Sequence, residues 1–242
     1  MIKSLLGCSI FLYFTFIPQI STAVQPENKL AFFVGHSQWD KGSQELNLPA
    51  EWDYCSKIGE ELIKLAPNYH LTAKLFFRGQ GAYKDAVHQM HKEKNNWDRN
   101  APIVSCHYNS TPITIDNTQI HASQLRALFV NGLAPRKGSL MGTLVLYKPT
   151  PESKKIAEQL LTNVEALMPR NDSNFNNVSG IIPISTEDRG AREILSSDKI
   201  PVMLLEIGYG DNQLDMTLMK SAGFQKSVAE AILLTFGNKV QP

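Results

Sequence analysis

The sequence predicts an α/β fold: one domain, with a mostly parallel sheet carrying helices on both faces. Three observations predict it. Short runs such as KLAFFV at 29–34 and PVMLLEI at 201–207 are continuously apolar, as strands buried on both sides are. They alternate with longer stretches whose apolar residues fall at helical spacing. No internal repeat, low-complexity tract or second core-forming region interrupts the alternation. At 242 residues, with 43% hydrophobic and 19% charged residues, the chain suits a single domain with a substantial core once a targeting segment is set aside.

Along the chain, the strand Lys29–Val34 ends in Gly35-His36 and gives way to a polar loop from Ser37 to Leu48. Pro49 opens a helix through about Ala66, with Tyr54, Ile58, Leu62 and Leu65 on one face, and Pro67-Asn68 stops it. Leu71–Phe77 reads as a second strand, Arg78-Gly79-Gln80-Gly81 as a turn, and Tyr83 to about Asn95 as a helix. The third strand covers Ile103–Cys106, so His107 is expected just past its end. Ser123–Asn131 is expected as a short helix and Gly132–Gly138 as loop. Gly142–Tyr147 is a strand, and Pro151–Met168 an amphipathic helix with Ile156, Leu160, Val164 and Leu167 inward. A polar loop from Asn171 to Gly180, a strand at Ile181–Ile184, a short helix at Arg189–Ser196, the strand Pro201–Ile207 and a closing helix Lys226–Phe236 complete the pattern.

The first residues stand apart from the fold. Lys3, the apolar run Leu5–Ile17 and the small residues Ser21-Thr22-Ala23 have the form of a signal peptide, residues 1–23, leaving a mature domain of 24–242. Export to periplasm or medium is the expectation, with no stable membrane anchor. Cys8 lies too early in the apolar run for a lipid anchor, so the mature chain keeps Cys55 and Cys106. In an oxidising compartment they can pair as a disulfide or remain separate buried thiols; the sequence leaves both open. A net charge of +1, with no basic stripe among aromatics, gives no basis for nucleic-acid binding.

Working residues of open parallel sheets gather at the carboxyl ends of the strands. Those ends hold His36, Glu51 (in the first turn of the following helix), His107 and Glu206. Two imidazoles and a carboxylate are a ligand set for catalytic zinc, Zn2+ being preferred to Mg2+ or Ca2+ by imidazole-rich sites. A second carboxylate, Glu206, is placed to carry a proton to a leaving amine. Each residue also has an ordinary structural reading. His36 could cap a turn, and Glu51 could favour its helix dipole. Glu206, which needs a reason to lie between Leu205 and Ile207, could pair with Arg78 or Arg189. His70, His88, His91 and His121 read as surface histidines.

The Gly-His at 35–36, the helix-initial glutamate of EWDYCSKIGEEL, the H-x-N of SCHYNS and the E-x-G of LLEIGYGDN resemble, in order and rough separation, the zinc-dependent N-acetylmuramoyl-L-alanine amidases. The resemblance runs from about Lys29 to Phe236. It implies His36, Glu51 and His107 as zinc ligands and Glu206 as catalytic acid/base. It further implies Asn109 as support for the His107 loop and Arg78 as the arginine after the second strand. The implied reaction is cleavage of the amide between the lactyl group of peptidoglycan and the stem peptide's L-alanine. Val34 stands where the family has an acidic residue, and Ser37-Gln38-Trp39-Asp40 where it is glycine-rich. The connection 111–142 is longer than the fold needs, so Gln119–Asn131 is expected as a lid over the site. With no wall-binding repeat, targeting falls to the domain itself or to a protein activator. A zinc peptidase or amidohydrolase acting on another amide, and a non-catalytic wall-binding regulator, are the competing readings.

Overall fold

The computed structural model describes residues 28–45, 47–111, 137–168, 175–184, 194 and 200–237. Its strands are β1 (Asn28–Val34), β2 (Leu71–Phe77), β3 (Ile103–Asn109), β4 (Leu140–Met141), β5 (Leu144–Tyr147), β6 (Asn176–Asn177), β7 (Gly180–Pro183) and β8 (Val202–Tyr209). Its helices are α1 (Glu51–Leu65), α2 (Tyr83–Trp97), α3 (Pro151–Glu165), α4 (Gln213–Met219) and α5 (Phe224–Phe236). Six strands form the main sheet in the order β2-β1-β3-β8-β5-β7, and β4 pairs with β6 beside it. All main-sheet pairings are parallel except β5 with β8. The mostly parallel sheet is therefore as predicted, with one reversed junction.

Both faces of the sheet are covered because alternate residues of each strand point to opposite cores. Leu30, Phe32 and Val34 of β1 join Val104 and Leu205 against α1, α3 and α5, through Ile58, Leu160 and Ile232. Ala31 and Phe33 face the other way, with Ile103 and Leu204, against Val87 and Met90 of α2. Predicted inward positions of α1 hold: Tyr54, Ile58 and Leu62 are buried, and Leu65 packs at the margin. Thr150 caps α3, its hydroxyl accepting the Ser153 amide at 3.1 Å, with Pro151 in the first helical turn.

Several boundaries differ from the sequence reading. α1 begins at Glu51, two residues after Pro49. β3 continues through Asn109, so His107 lies within a strand rather than beyond it. β8 continues to Tyr209, placing Glu206 in its interior. The extension exists because the two strands pair with each other, His107 opposite Glu206 and Asn109 opposite Tyr209. Between these pairs one residue of β3, Tyr108, faces two of β8, Ile207 and Gly208, an irregularity of the bulge type at the site. The segment at 171–180 contains β6, and α4 was unforeseen. Cys55 and Cys106 are free, fully buried thiols hydrogen-bonded to one another, so this structure has the unpaired alternative. The expected signal segment 1–23, the expected lid at 119–131, the expected helix at 123–131 and, except for buried Ile194, the expected helix at 189–196 lie outside the described residues. No helix of the described residues is long and apolar enough to cross a membrane.

Two carboxylates organise the turn after β8. Asp215, fully buried in the first turn of α4, accepts the Tyr209 and Gly142 amides at 2.9 Å each. Asp211 accepts the Thr111 amide at 3.0 Å, the Thr111 hydroxyl at 3.2 Å and the Gly138 amide at 3.0 Å. Asn212 adds a bond from its side-chain amide to the Gly138 carbonyl at 2.9 Å. The two ends of the 112–136 connection are thereby held on one side chain. Asp215→Ala leaves two buried N–H donors without an acceptor, each worth about 1–3 kcal/mol. It is expected to lower unfolding stability by roughly 3 kcal/mol, readable by urea denaturation.

Candidate metal centre and active site

Three segments converge at the carboxyl edge of β1 and β3. Gly35 extends the ladder, its amide donating to the Cys106 carbonyl at 3.0 Å. A Cβ on Gly35 would lie 2.7 Å from the His107 ring, so only glycine lets β1 pass this close. His36 then takes a positive φ of 62°, turning its ring toward the start of α1. Gly42, at φ 70°, brings the following loop under His36 and Glu51; a Cβ there would sit 2.5 Å from Glu51 Oε2. Glu51 is the first residue of α1, where the helix dipole favours a carboxylate.

Glu51 is 2% exposed and bridges both histidines. Its Oε1 lies 2.8 Å from His107 Nδ1 and its Oε2 lies 3.2 Å from His36 Nε2. The Ser43 amide donates to Oε2 at 3.0 Å. The other ring nitrogen of His107, Nε2, lies 3.1 Å from the Ser105 hydroxyl, which shares its face of β3. The two rings meet edge to face, 5.4 Å apart. One donor atom from each of His36, Glu51 and His107 falls within 4.8 Å of the others. This donor set fits a divalent metal ion: two imidazoles and a carboxylate converge, and the Ser105 hydroxyl holds the His107 ring in place.

The electrostatics follow from burial and from Glu51. Burial pushes the Glu51 carboxyl up, but hydrogen bonds from His107 and His36 outweigh it and hold the group at about 2. Burial also works against a charged His36, yet Glu51 and Asp40 together raise its pKa. At His107 burial wins, and the ring titrates below its ordinary value despite Glu51. Glu206, opposite His107 across the β3–β8 ladder, is driven well above the ordinary carboxylate range by burial and then by the Glu51 charge. Its Oε2 is buried without a hydrogen-bond partner. The arginine-pairing alternative fails for Arg78, which instead donates to Asp40 Oδ2 at 2.6 Å. Arg189 lies outside the described residues.

Arg78 and Asp40 form the flank of the site. Asp40 Oδ2 is also 3.6 Å from His36 Nδ1, and the Arg78 guanidinium lies 5.0 Å over the Tyr83 ring. Asn109 accepts its neighbour's amide, Ser110 N–H, at 3.2 Å, while its carbonyl accepts Gly210 N–H at 2.8 Å across the irregular β3–β8 junction. Sequence reasoning passed over Ser43, Ser105 and Asp40. Ser105 carries a readable signal, two residues before His107 and so on the same strand face. Ser43 acts through its backbone and carries none.

Fold and site together define the class as a hydrolase built around a candidate metal centre at the carboxyl edge of a parallel sheet. The chain belongs to the N-acetylmuramoyl-L-alanine amidase family, whose profile matches residues 32–236. It is thus an amidase of that family, as the motifs at 35–36, 51, 107 and 206 imply. No curated protein matches it in sequence. Among solved structures it is similar to the N-acetylmuramoyl-L-alanine amidase AmiC2 of Nostoc punctiforme, at 21% identity and a TM-score of 0.56, covering 87% of this chain and 95% of that one. It is similar to the amidase Ami1 of Mycobacterium smegmatis, at 17% identity and TM-score 0.54, over 86% and 94% of the two chains. It is also similar to the CwlD amidase of Clostridioides difficile, solved in complex with the GerS lipoprotein, at 16% identity and TM-score 0.57, over 86% and 95%. At these identities the likeness is one of fold.

Proposed function

We propose that this protein is an exported, zinc-dependent amidase that releases stem peptides from peptidoglycan, cutting between the muramoyl lactyl group and L-alanine. The observation that carries the reading is the convergence of His36, Glu51 and His107 beside Glu206, whose Oε2 is buried without a hydrogen-bond partner. His36, Glu51 and His107 would hold the zinc, a borderline ion suited to two imidazoles and one carboxylate. Zinc there supplies Lewis acidity, which polarises a carbonyl and makes water more acidic.

The chain's own part is positioning and proton transfer. Glu51 fixes both rings through opposite oxygens, and Ser43 fixes Glu51. Glu206 accepts a proton from attacking water and returns it to the departing amine nitrogen. A carboxyl whose pKa is raised by burial, and then by the Glu51 charge, holds a proton more strongly than an ordinary carboxylate, which suits it to take one up and pass it on. The apolar N-terminal segment supports export to the periplasm or medium. A complexed relative supports the idea that a partner protein activates or targets the domain.

The deciding experiment measures zinc per purified mature chain and stem peptides released from purified sacculi, before and after chelation. One zinc per chain is expected, with release that chelation abolishes and added zinc restores. Zinc with no peptide release would turn the reading to another amide substrate.

A further inference from the structure

Trp39 is the most exposed large apolar side chain among the described residues, at 55%, and it stands three residues from His36. It is not on a loose segment. The Ser37 amide donates to the Asp40 carbonyl at 2.8 Å, and the Asp40 amide returns to the Ser37 carbonyl at 3.2 Å and hydroxyl at 3.1 Å. Trp39 thus sits inside a doubly closed turn. One end of the turn follows His36; the other is fixed because Asp40 accepts the largely buried Arg78 guanidinium at 2.6 Å, with Tyr83 stacked beneath. This closed turn, whose Asp40 lies 3.6 Å from His36, holds an indole out in water as an apolar contact on the segment that leads out of the site.

We infer that Trp39 is a sugar-stacking subsite that holds a pyranose ring of the glycan backbone while the adjoining centre acts on the lactyl amide. The inference rests on the peptidoglycan reading of that centre and adds where the polymer lies. The amide at the centre is attached through a lactyl ether to a sugar, so a pyranose must lie within a few bonds of the reacting carbon. A pyranose presents a face of C–H groups with partial positive charge, and an indole face carries the complementary negative quadrupole. A stem peptide has no such regular flat face. Trp39 therefore selects glycan-borne amides over free peptides, and acts on binding rather than on proton transfer.

The test uses the full mature chain and separates this inference from the hydrolytic one. In Glu206→Gln protein, peptide-free glycan strands are titrated while tryptophan emission is followed. The parent is expected to show saturable quenching; Trp39→Ala is expected to lose the quenching and bind about tenfold more weakly, with Trp39→Phe close to the parent. With otherwise wild-type enzyme on sacculi, Trp39→Ala is expected to raise KM by about tenfold with little change in kcat, Trp39→Phe restoring KM. Unchanged glycan affinity in Trp39→Ala would overturn the inference, as would a fall in kcat at constant KM. Quenching by phospholipid vesicles but not by glycan would overturn it in favour of a membrane contact. If the parent released no stem peptide, the hydrolytic reading would fall and the glycan titration would still decide this one.

Discussion

Glu206→Gln is expected to reduce stem-peptide release by about 10³-fold while leaving zinc content and fold unchanged. Glu206 keeps one carboxylate oxygen, Oε2, buried and without a hydrogen-bond partner, whereas both oxygens of Glu51 are engaged. Burial, and then the Glu51 charge, favour its neutral form in the metal-free protein. Glutamine copies the shape and neutrality of that form, so nothing around it must move. The sign of the accompanying stability change is fixed. A carboxyl whose folded pKa lies above its unfolded value stabilises the fold at low pH and loses that contribution as pH rises beyond about 4.5. Metal-free Glu206→Gln should therefore equal or exceed the wild type in Tm at neutral pH. Single-turnover release from sacculi, metal analysis and calorimetry check the three parts. Retained activity would remove Glu206 from the mechanism.

Glu51→Ala attacks the same centre from the metal side. One carboxylate serves both histidines, at 2.8 and 3.2 Å, so its removal frees two rings at once. Zinc affinity is expected to fall by at least roughly 10²-fold, and activity with it. Stability also changes, with the opposite pH dependence to Glu206. Glu51 is held at about 2, below its ordinary 4.5, so its contribution is full above pH 4.5 and disappears as pH falls toward 2. In the metal-free protein, acid unfolding of the wild type should steepen across that window, and Glu51→Gln should flatten it. Equilibrium dialysis with zinc and acid titrations followed by circular dichroism give both readings. Undiminished zinc binding by Glu51→Ala would exclude Glu51 as a ligand.

The four polar positions were legible because each interrupts an apolar pattern at a predictable place: His36 and His107 after buried runs, Glu51 in a first turn, and Glu206 near the end of an otherwise apolar strand. What failed was where those strands stop. His107, Tyr108 and Asn109 do not look like strand, and they extend β3 only because β8 supplies a partner ladder about a hundred positions away. α4 escaped notice because it is short and held by tertiary bonds, Asp215 reaching back to Tyr209 and Gly142. The reversed β5 also left no local trace, since apolar runs do not record direction. Arg78 was picked out by position, but its partner Asp40 lies 38 residues earlier, beyond any local pattern.

The Asp211 clasp has a consequence for the history of the domain. Because Thr111 and Gly138 are tied to one carboxylate, the chain between them closes on itself at its base, and the sheet does not register its length. Closing a longer loop across the same base costs only about 0.6 kcal/mol per doubling. A change of chain length between these two ties is therefore expected to leave the sheet able to fold. Selection can thus act on the chain length between Thr111 and Gly138 at little cost to the strands that carry His107 and Glu206.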